Sequence, residues 1–202
     1  MTLALSELQL DALGETFNIA LGEAASVFSQ IVGEEVLLSV PWVALMPREE
    51  VAQAVDIGQG GQRLCGVLQR FSTESVFEAD TLLVFSEEGG LEVVRRLLNE
   101  PTPIHRITEL EQDALAEIGN IIINACMGSI AGILGREIPG SLPRVILADA
   151  HSLLERSAGS TVLVARIGMR LESTNIEGFV MFMMDLESIR AFVDKVGAAF
   201  NI

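Results

Sequence analysis

Two short runs in this 202-residue chain carry residue types and spacings suited to chemistry. In "DALGETFNIALGEAASVF", from residue 11, a carboxylate (Glu15) and a carboxamide (Asn18) stand three residues apart in an otherwise greasy segment. The stretch "DALAEIGNIIINACMGSIAGILG", residues 113 to 135, carries the same pair as Glu117 and Asn120. Positions three and four apart share one face of a helix. Asp11, Glu15, Asn18 and Gly22 therefore form one stripe, and Asp113, Glu117, Asn120 and Asn124 another. A lone Glu and Asn on a helix are ordinarily its wet face, but three features argue against that here. The residue types recur identically. Asn is a poor helix former beside the Lys, Gln or Arg that an ordinary wet face uses. Neither run holds a Lys or Arg before its terminal glycine, so no local cation neutralises Glu15 or Glu117. A carboxylate without a local partner, one turn from an amide, suits docking and positioning of an external group.

The elements that must position these pairs repeat as well. Residues 6–41 align without gaps on 108–143, an offset of 102. Identities include Glu7/Glu109, Leu8/Leu110, Asp11/Asp113, Leu13/Leu115, Glu15/Glu117, Asn18/Asn120, Gly33/Gly135 and Pro41/Pro143. Two copies are too few for a solenoid and fit a pseudo-twofold pair of half-domains, 1–100 and 106–202, joined by a linker at 101–105. Ser6 with Gln9 and Thr108 with Glu111 read as capping boxes opening two long helices, which Gly33 and Gly135 close. Extended stretches follow ("EEVLLSVPWVAL" and "PRVILADA"). The first half continues with a short helix opened by Pro47, a Gly-rich turn at 56–62, two strands, and the helix "LEVVRRLLN". The second half runs through "TVLVARIGMRLES", a turn at Thr174-Asn175, "EGFVMFMMD" and the helix "LESIRAFVDKVGAAF". Strands joined by short turns pair antiparallel and pack on helices, which makes the expected class α+β.

Composition sets further bounds. Half of the residues are apolar and 20% charged, enough to bury a core. A formal charge of −15 disfavours nucleic acid and anionic membrane as partners. The N-terminus lacks a basic segment ahead of an apolar one, so no signal peptide is expected. The apolar run Ile121 to Leu134 is shorter than the ~20 residues of a membrane helix and reads as a buried helix. Two cysteines, Cys65 and Cys126, outside any CxxC spacing, suit a reducing cytoplasm. His105 and His151 have no ligand-spaced neighbours, so neither a metal nor a cofactor is expected on this chain. "GQGGQRLCG" lacks the spacing of a dinucleotide or phosphate loop. The methionines of "FVMFMMD", and Trp42 after the repeated proline, are expected in the core.

The spacing Asp-x3-Glu-x2-Asn-x22-Pro resembles the motif of the CheC family of chemotaxis phosphatases, which remove the aspartyl phosphate of the response regulator CheY. Asp11, Glu15, Asn18 and Pro41 match it in the first half, and Asp113, Glu117, Asn120 and Pro143 in the second. "EIGNIIINACMGSIAGIL" is similar to the family around its core, and the likeness covers essentially the whole chain. Two motifs look like stand-alone CheC rather than the one-motif homodimer CheX or FliY, whose further switch domain 202 residues are not expected to accommodate.

The resemblance implies a CheC-like fold and a partner that brings its own Mg²⁺ and lysine. Asn18 and Asn120 would then position the attacking water, as a glutamine does in GTPases. Glu15 and Glu117 would dock to the regulator's lysine. Asp11, Asp113, Pro41 and Pro143 would support the motif structurally. CheD, a receptor deamidase, is a second candidate partner. A monomer is expected, since the duplication supplies the twofold. The rival is a non-catalytic scaffold like the FliM middle domain, which has this fold without the Glu/Asn pair. One departure stands out: Thr16-Phe17 replaces Ile118-Gly119 between Glu and Asn. A bulky Phe17 beside the reacting face would crowd a docking regulator, which ranks the second site above the first.

Overall fold

The long helix α1 (Glu7–Val32) starts at a capping box in which the Ser6 hydroxyl accepts from the Gln9 N–H at 3.2 Å and the Gln9 side chain accepts from the Ser6 N–H at 3.0 Å. It stops at Gly33, whose φ of 73° is the left-handed cap glycine adopts without strain. Its counterpart α4 (Glu109–Leu134) repeats both devices, with the Glu111 carboxylate accepting from the Thr108 N–H at 2.8 Å and Gly135 at φ 65°. These are features of a computed structural model that describes residues 5–54, 63–73, 77–154, 161–173 and 176–201. The turns expected at 56–62 and at Thr174-Asn175 lie outside the described residues.

The strands are β1 (Val36–Leu38), β2 (Trp42–Pro47), β3 (Leu64–Thr73), β4 (Phe77–Ser86), β5 (Arg144–Ala148), β6 (Thr161–Leu171) and β7 (Glu177–Met184). All pair antiparallel in one sheet of order β1-β6-β7-β4-β3-β5, with β2 also on β6. The halves are interlaced rather than side by side. β1 and β2 of the first half line β6 of the second, while β5 of the second lines β3 of the first. The sheet is therefore common property, and each long helix is followed by a strand that completes the other half.

Alternation along the strands sends successive side chains to opposite faces, and both faces are covered. One face carries Cys65, Val67, Leu83, Phe85, Leu163, Ala165, Ile167, Val180 and Phe182 against α1, α4, α3 (Glu87–Leu97) and α6 (Leu186–Phe200). The other carries Leu64, Leu82, Val84, Val162, Val164, Met181 and Met183 under the short helices α2 (Val51–Ala54) and α5 (Ala150–Leu154). Burying such side chains contributes roughly 1.5–3 kcal/mol apiece, which is what holds the sheet between its helices. By length and composition alone α4 could cross a membrane. Its apolar face (Leu115, Ile118, Ile122, Met127, Ile130) is instead spent on this core.

Phe17 and Trp42 depart from expectation. Phe17 is fully buried, stacked against Phe182 at 4.9 Å and Phe192 at 5.8 Å between ring centroids. It continues the inward row Leu13, Phe17, Leu21, Ala24 and Phe28, so it cannot crowd a docking partner. Its equivalent Gly119 also faces inward, where a Cβ would lie 2.4 Å from Val67 Cγ1, and glycine lets α4 settle directly on β3. Trp42, expected in the core, is 39% exposed. The methionines Met181, Met183 and Met184 are buried as expected; Cys65 and Cys126 are buried too, and burial pushes the Cys65 thiol up to about 12.

Candidate functional site

The polar stripe of α1 is the face left over once Leu13, Phe17, Leu21 and Phe28 have gone into the core. Asp11, Glu15 and Asn18 are all exposed on it. They line an open groove of about 570 Å³ whose far wall is the segment between β1 and β2, with Ser39, Val40, Pro41 and Trp42. The structure thus brings all four residues of the first motif to one groove. Among the described residues Glu15 has no ion pair and Asn18 no side-chain hydrogen bond, so both can receive an external partner.

The far wall is shaped by the proline. Pro41 has no N–H to give the ladder, and β6 loses a partner there. Ser39 fills the gap: its N–H donates to the Gly168 carbonyl at 2.9 Å, and its hydroxyl accepts from the Gly168 N–H at 2.8 Å. The second half repeats this device at the same offset. Ser141 N–H donates to the Arg70 carbonyl at 2.7 Å, and its hydroxyl accepts from the Arg70 N–H at 3.0 Å. Between serine and proline the chain bulges outward, leaving Val40 87% and Leu142 85% exposed. Leu8 and Leu110, one turn before the motif aspartates, are likewise exposed apolar residues at equivalent positions. A lone exposed Leu means little. Here the exposed apolar pair recurs at equivalent positions in both halves, beside the polar stripe each time.

In the second motif Asp113 and Glu117 are exposed, Pro143 is half-buried, and Glu117 has no ion pair among the described residues. Asn120 differs from Asn18: it is half-buried and bonded. Its Oδ1 accepts from Gln69 Nε2 at 3.1 Å and from Asn124 Nδ2 at 2.8 Å. Gln69, on β3, is 1% exposed and also donates to the Ser141 carbonyl at 3.1 Å.

Sequence reasoning missed Ser39/Ser141, Val40/Leu142 and Gln69. The first two pairs sit on the repeat itself, as Ser-aliphatic-Pro at the same offset, and could have been found there. Gln69 gave no signal beyond being polar in an apolar strand. Among the described residues no group of three or more His, Cys, Asp or Glu is placed to hold a metal ion.

No family model matches the chain. It is 25% identical over 156 residues to the flagellar motor switch phosphatase FliY of Bacillus subtilis, covering 72% of this chain and 37% of that protein. It is 24% identical over 148 residues to the CheY-P phosphatase CheC of the same organism, covering 71% of this chain and 68% of that one. The chain therefore spans little more than a third of FliY and about two thirds of CheC. In fold it is similar to the crystal structure of Thermotoga maritima FliY, with a TM-score of 0.77, 18% identity, and 98% and 100% of the two chains covered. It is also similar to the FliM middle domain of H. pylori, with a TM-score of 0.69, 12% identity, and 95% and 99% covered. With sequence likeness to FliY and CheC on one side, and on the other a doubled Asp/Glu/Asn/Pro motif set at equivalent places in the fold, the family this chain is similar to is that of CheC, CheX and FliY.

Proposed function

We propose that the chain is a phosphatase of the aspartyl phosphate carried by a CheY-like response regulator. The observation that carries this reading is the row Asp11, Glu15 and Asn18, exposed along α1 and opening on a groove walled by Pro41. Relatives named as phosphatases support the reaction class.

An acyl phosphate is already activated; it lacks a water held in line with phosphorus. Phosphoryl transfer is governed by positioning more than by covalent help. α1 is a rigid rod packed along its inner face, so it can enter a partner's active site without reordering. Glu15, with no cation of its own, pairs with the regulator's lysine and sets the depth of entry. The exposed apolar residues Leu8 and Val40 dock beside it. Asn18 then accepts a hydrogen bond from water through Oδ1 and donates one to a phosphoryl oxygen through Nδ2. Water oxygen bonds to phosphorus as the bond from phosphorus to the aspartyl oxygen breaks. The electron pair returns to the carboxylate, and the products are inorganic phosphate and free aspartate, with the water's proton left on phosphate or solvent. The divalent cation that screens the phosphoryl charge is held by the regulator.

The likeness to the FliM middle domain favours a second reading, a scaffold that binds a regulator or a CheD-type partner without hydrolysis. Loss of acyl phosphate from a phosphorylated CheY-like regulator, timed with and without catalytic amounts of the chain, separates the two. Faster decay with turnover supports the phosphatase. An unchanged decay rate at stoichiometric amounts leaves the scaffold.

A further inference from the structure

The two motif amides differ in their free valences, and we infer that the sites divide the work. Asn18 carries the hydrolytic turnover, while Gln69 and Asn124 hold Asn120 as a hydrogen-bond donor only. This rests on the phosphatase reading and goes beyond it.

The orientation of Gln69 is fixed by what surrounds it. The Ser141 carbonyl can only accept, so the Gln69 group facing it at 3.1 Å is Nε2. That same Nε2 meets Asn120 at 3.1 Å, so Asn120 must present its oxygen to it. Turning the Gln69 amide over would set Oε1 against the Ser141 carbonyl, lone pair to lone pair. The structure instead leaves Oε1 buried without a partner among the described residues. Asn124 is fixed by the same logic: its Nδ2 donates to the Asn120 backbone carbonyl at 2.7 Å and, from there, to Asn120 Oδ1 at 2.8 Å. A carboxamide oxygen has two lone pairs. Both are taken, and Nδ2 is the group Asn120 has left to offer. It can grip a phosphoryl oxygen but cannot accept from an attacking water.

The first site has neither clamp. Trp42 pairs with Arg166 on β6 just as its equivalent Arg144 pairs with Leu68 on β3, so the position matching Gln69 is Ile167. Ile167 is buried and has no polar group to give. The position matching Asn124 is Gly22. Packing is consistent with this difference: Gly119 lets α4 settle onto Val67, two residues from Gln69 on the same strand face, whereas Phe17 fills that level of the first half.

The test uses the full chain and a phosphorylated CheY-like regulator, reading kcat and KM separately. Asn18→Ala should lower kcat about a hundredfold, the cost of losing a positioned water, and Asn120→Ala less than about threefold. In the Asn18→Ala background, Asn124→Gly, which copies the first site, should raise kcat at unchanged KM by freeing one lone pair of Asn120. Asn124→Ala does the same without a helical glycine. A purely structural Asn124 would give no such gain. Equal losses from the two single Asn variants, or no gain from either Asn124 variant in a chain whose circular dichroism is intact, would overturn the division of labour. The phosphatase reading would survive that outcome so long as the doubly substituted chain is inactive. It fails if that chain keeps the wild-type rate.

Discussion

Gly119→Ala is the most informative single perturbation of the packing. A Cβ there would stand 2.4 Å from Val67 Cγ1 and 2.6 Å from Val67 Cβ. Val67 is β-branched and 2% exposed on a central strand, so it cannot rotate away. α4 must then withdraw by about 1 Å to restore a normal carbon–carbon separation. Overpacking of this kind costs about 1–3 kcal/mol, against a gain of about 1 kcal/mol for replacing a helical glycine by alanine. The net expectation is a loss of up to about 2 kcal/mol. Gly128, on the same helix, is the control: nothing lies within 4 Å of its added Cβ, so Gly128→Ala should stabilise by up to about 1 kcal/mol. Urea unfolding measures both, and the two midpoints should move in opposite directions. Adding Val67→Ala to Gly119→Ala should recover part of the loss, with a coupling of about 1 kcal/mol in a double-mutant cycle. If Gly119→Ala were stabilised as much as Gly128→Ala, α4 would not lie on β3 as described, and the contact between Gln69 and Asn120 would lose its basis.

Two further outcomes follow from the surface. Val40→Asp should leave stability within about 0.5 kcal/mol, because the side chain is exposed. It should raise the KM for the phosphorylated regulator about tenfold with kcat little changed, as an apolar interface contact worth ~1.4 kcal/mol would. On α3, Arg95 and then Arg96 hydrogen-bond to Glu92 and hold its carboxyl down to about 2 from the ordinary 4.5. A carboxyl depressed in the folded state adds stability that is present above the unfolded value and lost as pH falls through the folded one. Glu92→Gln should therefore flatten the pH dependence of thermal unfolding between about pH 5 and pH 2, and an unchanged acid limb would dismiss the contribution.

The long helices were legible because their ends are local chemistry. Capping boxes and left-handed glycines need no tertiary information, and a gapless repeat fixes both at once. The stripes were legible for the same reason, since helical spacing is fixed. Phe17 was also within reach: two residues past Glu15 it turns well away from the polar face, onto the row of Leu13, Leu21 and Phe28. It was misjudged by reading neighbours in sequence as neighbours on a surface. Trp42 could not be placed without knowing that Pro41 interrupts the strand and that Ser39 holds the break. The interlacing of the halves was not legible, because β1 and β2 would read identically whether they paired with their own half or the other. Gln69 depends on that pairing. Its hydrogen bonds reach 51 residues to Asn120 and 72 to Ser141, separations at which no local pattern operates.

The central claim is that an exposed carboxamide supplies the chemistry while the carboxylate one turn before it supplies the docking. The direct measurement is single-turnover decay of the regulator's acyl phosphate with saturating Asn18→Ala/Asn120→Ala chain, alongside its affinity for the regulator. Decay at the regulator's own rate with binding retained is the predicted result. Decay as fast as with the wild-type chain would contradict the claim.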